Sequence, residues 1–198
     1  MSKSRIYIIL AVVVAGLFLM GRYNSMLKLS TEVDNAWANV ETVYQARADK
    51  VKGLAAIVKN AADFEQETLT EVIEARAKAT SVNISADNLT PENFAKFEQA
   101  QNQLTGSLQR LLLTVERYPD LKAVQAYRDF QHQYEGIENR IAVARKDFNG
   151  VATKYNYSIR KFPNVLLSGI FGFDEKPLFK ASEGSEDAPE MDDLLNRD

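Results

Sequence analysis

The chain has 198 residues, 45% of them hydrophobic and 26% charged, with no cysteine and a formal net charge of −3. Its length is typical of one domain with short appendages. The lack of cysteine excludes disulfides, thiolate metal sites and a cysteine nucleophile, and the single histidine, His132, excludes a multi-histidine metal site. The slightly negative net charge predicts no general attraction to nucleic acid.

An uncharged apolar segment, Ile6–Gly21, lies between Arg5 and Arg22. As a helix it spans ~24 Å, slightly less than the ~30 Å hydrocarbon core, and the flanking arginines can extend towards the headgroups. Because no small-x-small cleavage site follows it, we expect a retained membrane anchor; the alternative is a signal peptide removed from a soluble periplasmic bundle. The positive charges are denser before the segment, at Lys3 and Arg5, than after it, at Arg22 and Lys28, which favours a cytoplasmic N-terminus and a bundle outside the bacterial inner membrane.

After the anchor, hydrophobic residues recur at alternating three- and four-residue steps, which predicts long helices that pack through one face. The first stripe contains Val33, Trp37, Val40, Tyr44, Val51, Leu54, Val58, Leu69 and Val72. Arg47 also falls on this stripe, so either its side chain extends to solvent or the chain turns near Arg47–Lys50. A turn there gives four helices in the bundle, and a continuous rod over residues 24–80 gives three; the periodicity is consistent with both.

Proline residues mark the ends of the later helices. Thr90-Pro91 predicts a helix start, with Thr90 as the N-cap, and Tyr118-Pro119 predicts the end of that helix. A final helix then carries a long apolar stripe and ends at Phe162-Pro163. Since no segment alternates with period two, the predicted class is all-α: an N-terminal transmembrane helix followed by an antiparallel up-and-down bundle.

The predicted organisation is an anchor at 1–21, a helical bundle at 22–163, an apolar and aromatic extension at 164–180 and an acidic disordered tail at 181–198. The extension contains Val165–Phe173, which is unusually apolar for a tail but too short to cross a bilayer. A bundle of four helices returns the chain to the membrane and places this segment at the lipid surface, whereas a bundle of three leaves it far from the bilayer, docked on the bundle or on a partner.

No catalytic, cofactor or metal-binding set stands out in the sequence. A di-metal bundle needs two Glu-x-x-His pairs, whereas the lone histidine occurs in His132-Gln-Tyr-Glu135, in the reverse order. The final helix has a basic side, but its aromatic residues follow the core stripe rather than lying between the charges. We therefore expect no enzyme, no cofactor and no nucleic-acid partner, and a metal-dependent enzyme remains a remote alternative.

Short motifs in a fixed order cover nearly the whole chain up to Phe179. They are Tyr23-Asn24, Val33-Asp34, Ala36-Trp37, Glu71-Val72, Ala75-Arg76, Tyr118-Pro119-Asp120-Leu121-Lys122, Glu138-Asn139-Arg140-Ile141, Ala144-Arg145, Phe148-Asn149, Tyr155-Asn156, Phe162-Pro163 and Gly172-Phe173. This ordered set behind an N-terminal anchor resembles the LemA family of bacterial membrane proteins. One departure lies at Ala46–Ala55, where a proline usual in the family is missing.

The resemblance implies a single-pass membrane protein with an up-and-down bundle of four helices, no established catalytic activity and an accessory role in membrane processes. We therefore favour four helices, expect the extension at the lipid surface, and interpret the protein as a membrane-anchored scaffold or adaptor. The bilayer is the expected partner of Ile6–Gly21, together with an unidentified membrane protein, for which a membrane protease of the HtpX type is one candidate. A homo-oligomer is a further alternative. The motif residues that core packing or partner binding would use are Tyr23, Asn24, Trp37, Arg76, Tyr155, Asn156, Phe162, Pro163, Gly172 and Phe173. Trp37 and Tyr155 follow the core stripe, whereas Asn24 and Asn156 could equally bridge helices or face a partner.

Overall fold

The computed structural model describes residues 3–59 and 64–180, so the predicted acidic tail lies outside the described residues. Within these ranges the chain is helical with no strand, which confirms the predicted class. The helices are α1 (Lys3–Lys59), α2 (Gln66–Ser81), α3 (Pro91–Val115), α4 (Pro119–Ala123), α5 (Gln125–Arg160) and α6 (Asn164–Phe171), with one 3₁₀ turn at Ala86–Asn88.

The helices α1, α2, α3 and α5 pack side by side with alternating directions. As residue numbers rise along one helix, the numbers of the residues it contacts fall along its neighbour, as expected for an up-and-down arrangement. The pairs that define these directions are Trp37 with Phe148, Arg47 with Glu138, Lys78 with Gln103, and Glu71 with Arg110. The end of α5 therefore lies near the start of the packed part of α1.

α1 is a single helix of 57 residues, about 85 Å long. Its first third is apolar and exposed: residues 3–21 all face outward, and a window of mean hydropathy 2.1 is long and apolar enough to cross a membrane. Burial begins at Met26, and from Val33 to Val58 the stripe predicted from sequence packs inside the bundle. No break separates the apolar part from the packed part.

Two apolar clusters fill the bundle, one on each side of a polar layer. The lower cluster, on the side of Tyr23, includes Trp37 and Phe148; the upper one includes Leu54 and Leu108. Between them, Arg47 lies on the core face of α1 with only 2% of its surface exposed.

The Arg47 guanidinium is held by partners on two other helices. It donates to the Gln101 side-chain oxygen at 2.6 Å and to the Thr105 hydroxyl at 2.9 Å, and it forms an ion pair with Glu138 at 3.3 Å. The ring of Tyr44 lies 4.9 Å from its guanidinium carbon. A buried cation is tolerated when it is paired and hydrogen-bonded in this way.

Both sequence-based interpretations of Arg47 were therefore wrong. The side chain does not extend to solvent, and α1 continues through Arg47–Lys50 to Lys59. The rod over residues 24–80 is also wrong, because α2 begins at Gln66 and runs antiparallel to α1. The bundle nevertheless contains four helices of 16 residues or more, counted over the described residues.

The predicted helix boundaries are largely confirmed. The Thr90 hydroxyl accepts from the Asn93 amide at the start of α3, with Pro91 at the first helical position. The final helix is divided, which the sequence analysis did not predict. Pro119 begins the short α4, and the extended backbone of Val124 separates it from α5.

Replacing Arg47 with alanine should lower the free energy of unfolding by about 3 kcal/mol, because it leaves Gln101 and Glu138 without their shared cation. Lys50→Ala, one turn later on the exposed side of the same helix, is the matched control and should change stability by less than about 0.5 kcal/mol. Denaturant unfolding followed by circular dichroism measures both. Equal effects of the two substitutions would contradict a structural role for the Arg47 layer.

Candidate functional site: the C-terminal strap and the lower end of the bundle

After α6 the chain turns back and runs along the bundle as an extended segment, residues 173–180, which we call the strap. Gly172 makes the turn possible: it caps α6 with φ +72°, a left-handed conformation that side-chain-bearing residues rarely adopt. The Phe173 amide donates to the Ser168 carbonyl across this turn at 2.9 Å. The strap then lies against α5.

Two asparagines on α5 hold the backbone of the strap. The side-chain amide of Asn156 donates to the Lys176 carbonyl at 2.8 Å and accepts from the Lys176 amide at 2.9 Å. Asn149 makes the same pair of bonds with Phe179, also at 2.8 and 2.9 Å. Each asparagine therefore satisfies one donor and one acceptor of a segment that has no neighbouring strand.

The strap ends in the aromatic cluster of the lower core. The ring of Phe179 lies 4.7 Å from Phe94, 5.6 Å from Phe148 and 6.3 Å from Trp37, centroid to centroid. Trp37 is fully buried, as its position on the stripe predicts, and its indole N–H donates to the Ile84 carbonyl at 2.7 Å. The cluster thus joins α1, α3, α5, the strap and the segment before α3.

Two charged side chains, one on α5 and one on the strap itself, connect the strap to its neighbours. The Arg145 guanidinium lies 4.6 Å above the ring of Phe179, and Lys176 donates to the Ala86 carbonyl at 3.3 Å. Burial raises the pKa of the Asp34 carboxyl, an effect that the nearby Lys176 opposes. Burial, with Asp174 and Asp34 nearby, raises the pKa of Tyr155 to about 12.

α6 lies at the lower end of the bundle, beside the point where the apolar part of α1 ends. The Tyr23 ring contacts Phe171 at 5.2 Å and Phe173 at 5.6 Å. Asn164, 1% exposed, donates to the Ser158 carbonyl at 2.8 Å and so ties the start of α6 to α5. The segment 164–173 therefore lies close to the exposed apolar helix.

The structure brings together most of the residues singled out from sequence. Tyr23 and Phe173 meet at the lower end, Tyr155 is buried in the lower cluster, and Asn156 holds the strap from α5. Phe162 is 78% exposed, and Pro163 immediately precedes α6.

Two of the residues singled out lie outside this arrangement. Asn24 is exposed on α1. Arg76 is on α2, well up the bundle, where it donates to the Ala48 carbonyl of α1 at 2.7 Å.

The sequence analysis missed the role of Asn149 as a second holder of the strap. A signal was present: Phe148-Asn149 and Tyr155-Asn156 repeat an aromatic–asparagine pair at a spacing of seven residues. On a helix this spacing places both aromatics on the core stripe and both amides on one neighbouring face. The sequence analysis also missed that Phe179 belongs to the core.

Residues 3–59 and 64–180 hold no group of three His, Asp or Glu side chains placed to ligate a metal ion. An open groove of about 470 Å³ between α1 and α2 is lined by mixed polar and apolar side chains, among them Glu41, Gln45 and Asn83. Burial raises the pKa of Glu41 within it.

The model of the LemA family matches residues 36–192, which is most of the chain. The chain belongs to the LemA family. It is 26% identical over 183 residues to Protein LemA of Metamycoplasma hominis, covering 89% of this chain and 78% of that protein. It is also 26% identical over 190 residues to Magnetosome protein MamQ 2 of Paramagnetospirillum magneticum, covering 87% and 70% respectively. Magnetosome protein MamQ of Magnetospirillum gryphiswaldense is 23% identical to it over 201 residues, covering 90% of this chain and 74% of that protein.

In this LemA-family chain, Asn156→Ala should release the middle of the strap. It removes two neutral hydrogen bonds to backbone groups of Lys176, so we expect a loss of about 2 kcal/mol in unfolding free energy and faster hydrogen exchange at the Lys176 amide. Asn139→Ala, an exposed asparagine on the same helix, is the matched control. Unchanged exchange at Lys176 in the Asn156 variant would show that the strap is held without this side chain.

Proposed function

We propose that this protein is a membrane-anchored scaffold or adaptor whose helical bundle is presented to protein partners at the bacterial inner membrane. The observation that carries the proposal is the continuity of α1. The same helix contributes the exposed apolar segment of residues 3–21 and the buried stripe from Val33 to Val58. A bundle attached in this way is held at a defined distance and orientation from the bilayer, as an adaptor requires.

The dimensions of α1 support this role. From Arg22 to Lys59 the helix extends about 57 Å, so the upper end of the bundle stands well clear of the headgroups. Lys3 and Arg5 precede the apolar segment, which supports a cytoplasmic N-terminus with the bundle on the outer side. The exposed groove between α1 and α2 offers one surface for a partner.

The names of the relatives differ: some are named as magnetosome proteins, and one carries only the name of the family. What the chain shares with all of them is most of its length, not one named process. We therefore propose a protein partner within the membrane, with a membrane protease of the HtpX type as one candidate, and propose no catalytic activity for the chain itself.

The anchor should be retained in the mature protein. Carbonate extraction of native membranes should leave the full chain in the pellet, and intact-mass measurement should show a chain that still contains Ile6–Gly21. A soluble product beginning near Arg22 would favour the signal-cleaved periplasmic bundle instead. Metal analysis of the same preparation addresses the remote alternative of a metal-dependent enzyme.

The adaptor role itself is tested by proximity labelling in native membranes. The full chain, a variant with residues 6–21 replaced by an unrelated membrane helix, and that unrelated helix alone are each fused to a labelling enzyme. We expect the same membrane proteins to be enriched with the first two and not with the third, because the bundle would select them. No enrichment of the bundle-containing fusions over the helix alone would contradict the proposal.

A further inference from the structure

A second apolar surface lies at the lower end of the bundle, outside the core. It consists of the exposed side chains of Phe162, Val165, Leu166 and Ile170, which we call the α6 patch. Val165, Leu166 and Ile170 lie on α6, where Leu166 and Ile170 are four residues apart and share one side, and Phe162 immediately precedes the Pro163 cap. The other side of α6 faces the protein through Asn164, Leu167 and Phe171.

The α6 patch is far more apolar than a solvated helix face. Phe162 is 78% exposed, Ile170 77% and Leu166 63%, and α6 carries no charged residue. Such contiguous exposure on a surface otherwise rich in charge marks a place that something apolar covers. The structure next to the α6 patch indicates what covers it.

What lies beside it is the exposed apolar part of α1. The contact between Phe171 and Tyr23 fixes α6 next to a residue that is two positions after Gly21. Two positions along a helix correspond to about 3 Å. The helix that carries the α6 patch is therefore next to the outer end of the proposed membrane anchor and lies at the same depth.

The length of the anchor leads to the same conclusion. Ile6–Gly21 spans ~24 Å of a ~30 Å hydrocarbon core, so a centred helix falls short by about 3 Å on each side. The boundary of the hydrocarbon then reaches the level of Tyr23 and α6. An apolar element at this depth removes the mismatch without thinning the bilayer.

Charged and aromatic groups around α6 match a headgroup layer. Arg160 and Lys161 are exposed at the end of α5, and Arg160 also approaches Glu175 at 3.6 Å. The Lys161 ammonium lies 5.6 Å over the ring of Tyr157, which is 69% exposed. Basic residues and tyrosines are enriched where protein meets headgroups.

We propose that α6 is an interfacial helix that inserts the α6 patch into the outer boundary of the same bilayer that α1 crosses. It gives the bundle a second membrane contact beside the anchor, and two contacts restrict the tilt and rotation of the bundle. The proposal rests on the anchored topology proposed above. Because the strap follows α6 directly, the position that α6 takes at the lipid surface also affects the position of the segment held by Asn149 and Asn156.

The test uses the full chain in liposomes, where the lack of native cysteine allows single labels. An environment-sensitive fluorophore is attached to Ile170→Cys, and its emission is measured with quenchers placed shallow or deep on the lipid chains. Val12→Cys reports the anchor. Leu113→Cys is the matched control, because Leu113 is an apolar residue 71% exposed near the far end of α3.

We expect the Ile170 label to lose more emission to the shallow quencher than to the deep one. The Val12 label should respond more to the deep quencher, and the Leu113 label to neither. If Val12 responds and Ile170 behaves like Leu113, the interfacial helix is overturned while the anchor stands. If Ile170 shows a blue-shifted emission that no lipid quencher reduces, a protein covers the patch, which also overturns the proposal. If Val12 itself does not respond, the anchor fails and the α6 proposal fails with it.

Discussion

Packing around Trp37 is the interaction on which the lower half of the molecule depends. Its indole contacts Phe94, Phe97 and Phe148 and stacks towards Phe179, while its N–H is bonded to the Ile84 carbonyl. One side chain therefore links three long helices, the strap and the connection before α3. Aromatic clusters combine large apolar burial with preferred ring geometry, so they fix the relative positions of these elements closely.

The same cluster connects the strap with the part of α1 that follows the proposed anchor. α1 carries Trp37 about 24 Å beyond Gly21, and Phe179 returns to Trp37 from α6, which lies beside Tyr23. The segment from α6 to Phe179 thus connects the proposed membrane surface with the aromatic cluster around Trp37. The polar layer at Arg47 separates this lower unit from the upper apolar cluster. We therefore expect a displacement of α6 to change the positions of the strap and Trp37 most and the positions of residues in the upper cluster least.

Much of the fold could be predicted because helices in a bundle must bury one face. The stripes through Trp37 and Tyr155 and the Thr90-Pro91 start all appear in the structure as expected. Arg47 was misread because a charge on a core stripe has several solutions, and its partners Gln101 and Glu138 lie 54 and 91 residues away. The division of the last helix at Val124 was missed since no sequence feature there forbids helix.

The candidate site was only partly predictable because its contacts join residues that are distant in sequence. The sequence alone determined the elements whose cause is local: the apolar segment at Ile6–Gly21, the periodic stripes, and the breaks at Pro91, Pro119 and Pro163. Tertiary structure decided that Asn149 and Asn156 hold a strap, that Phe179 completes the Trp37 cluster and that α6 lies against Tyr23. Hydrophobic periodicity and backbone restriction act within a few residues along the chain. Hydrogen-bond partners and ring contacts depend instead on which distant segments the packed bundle brings together.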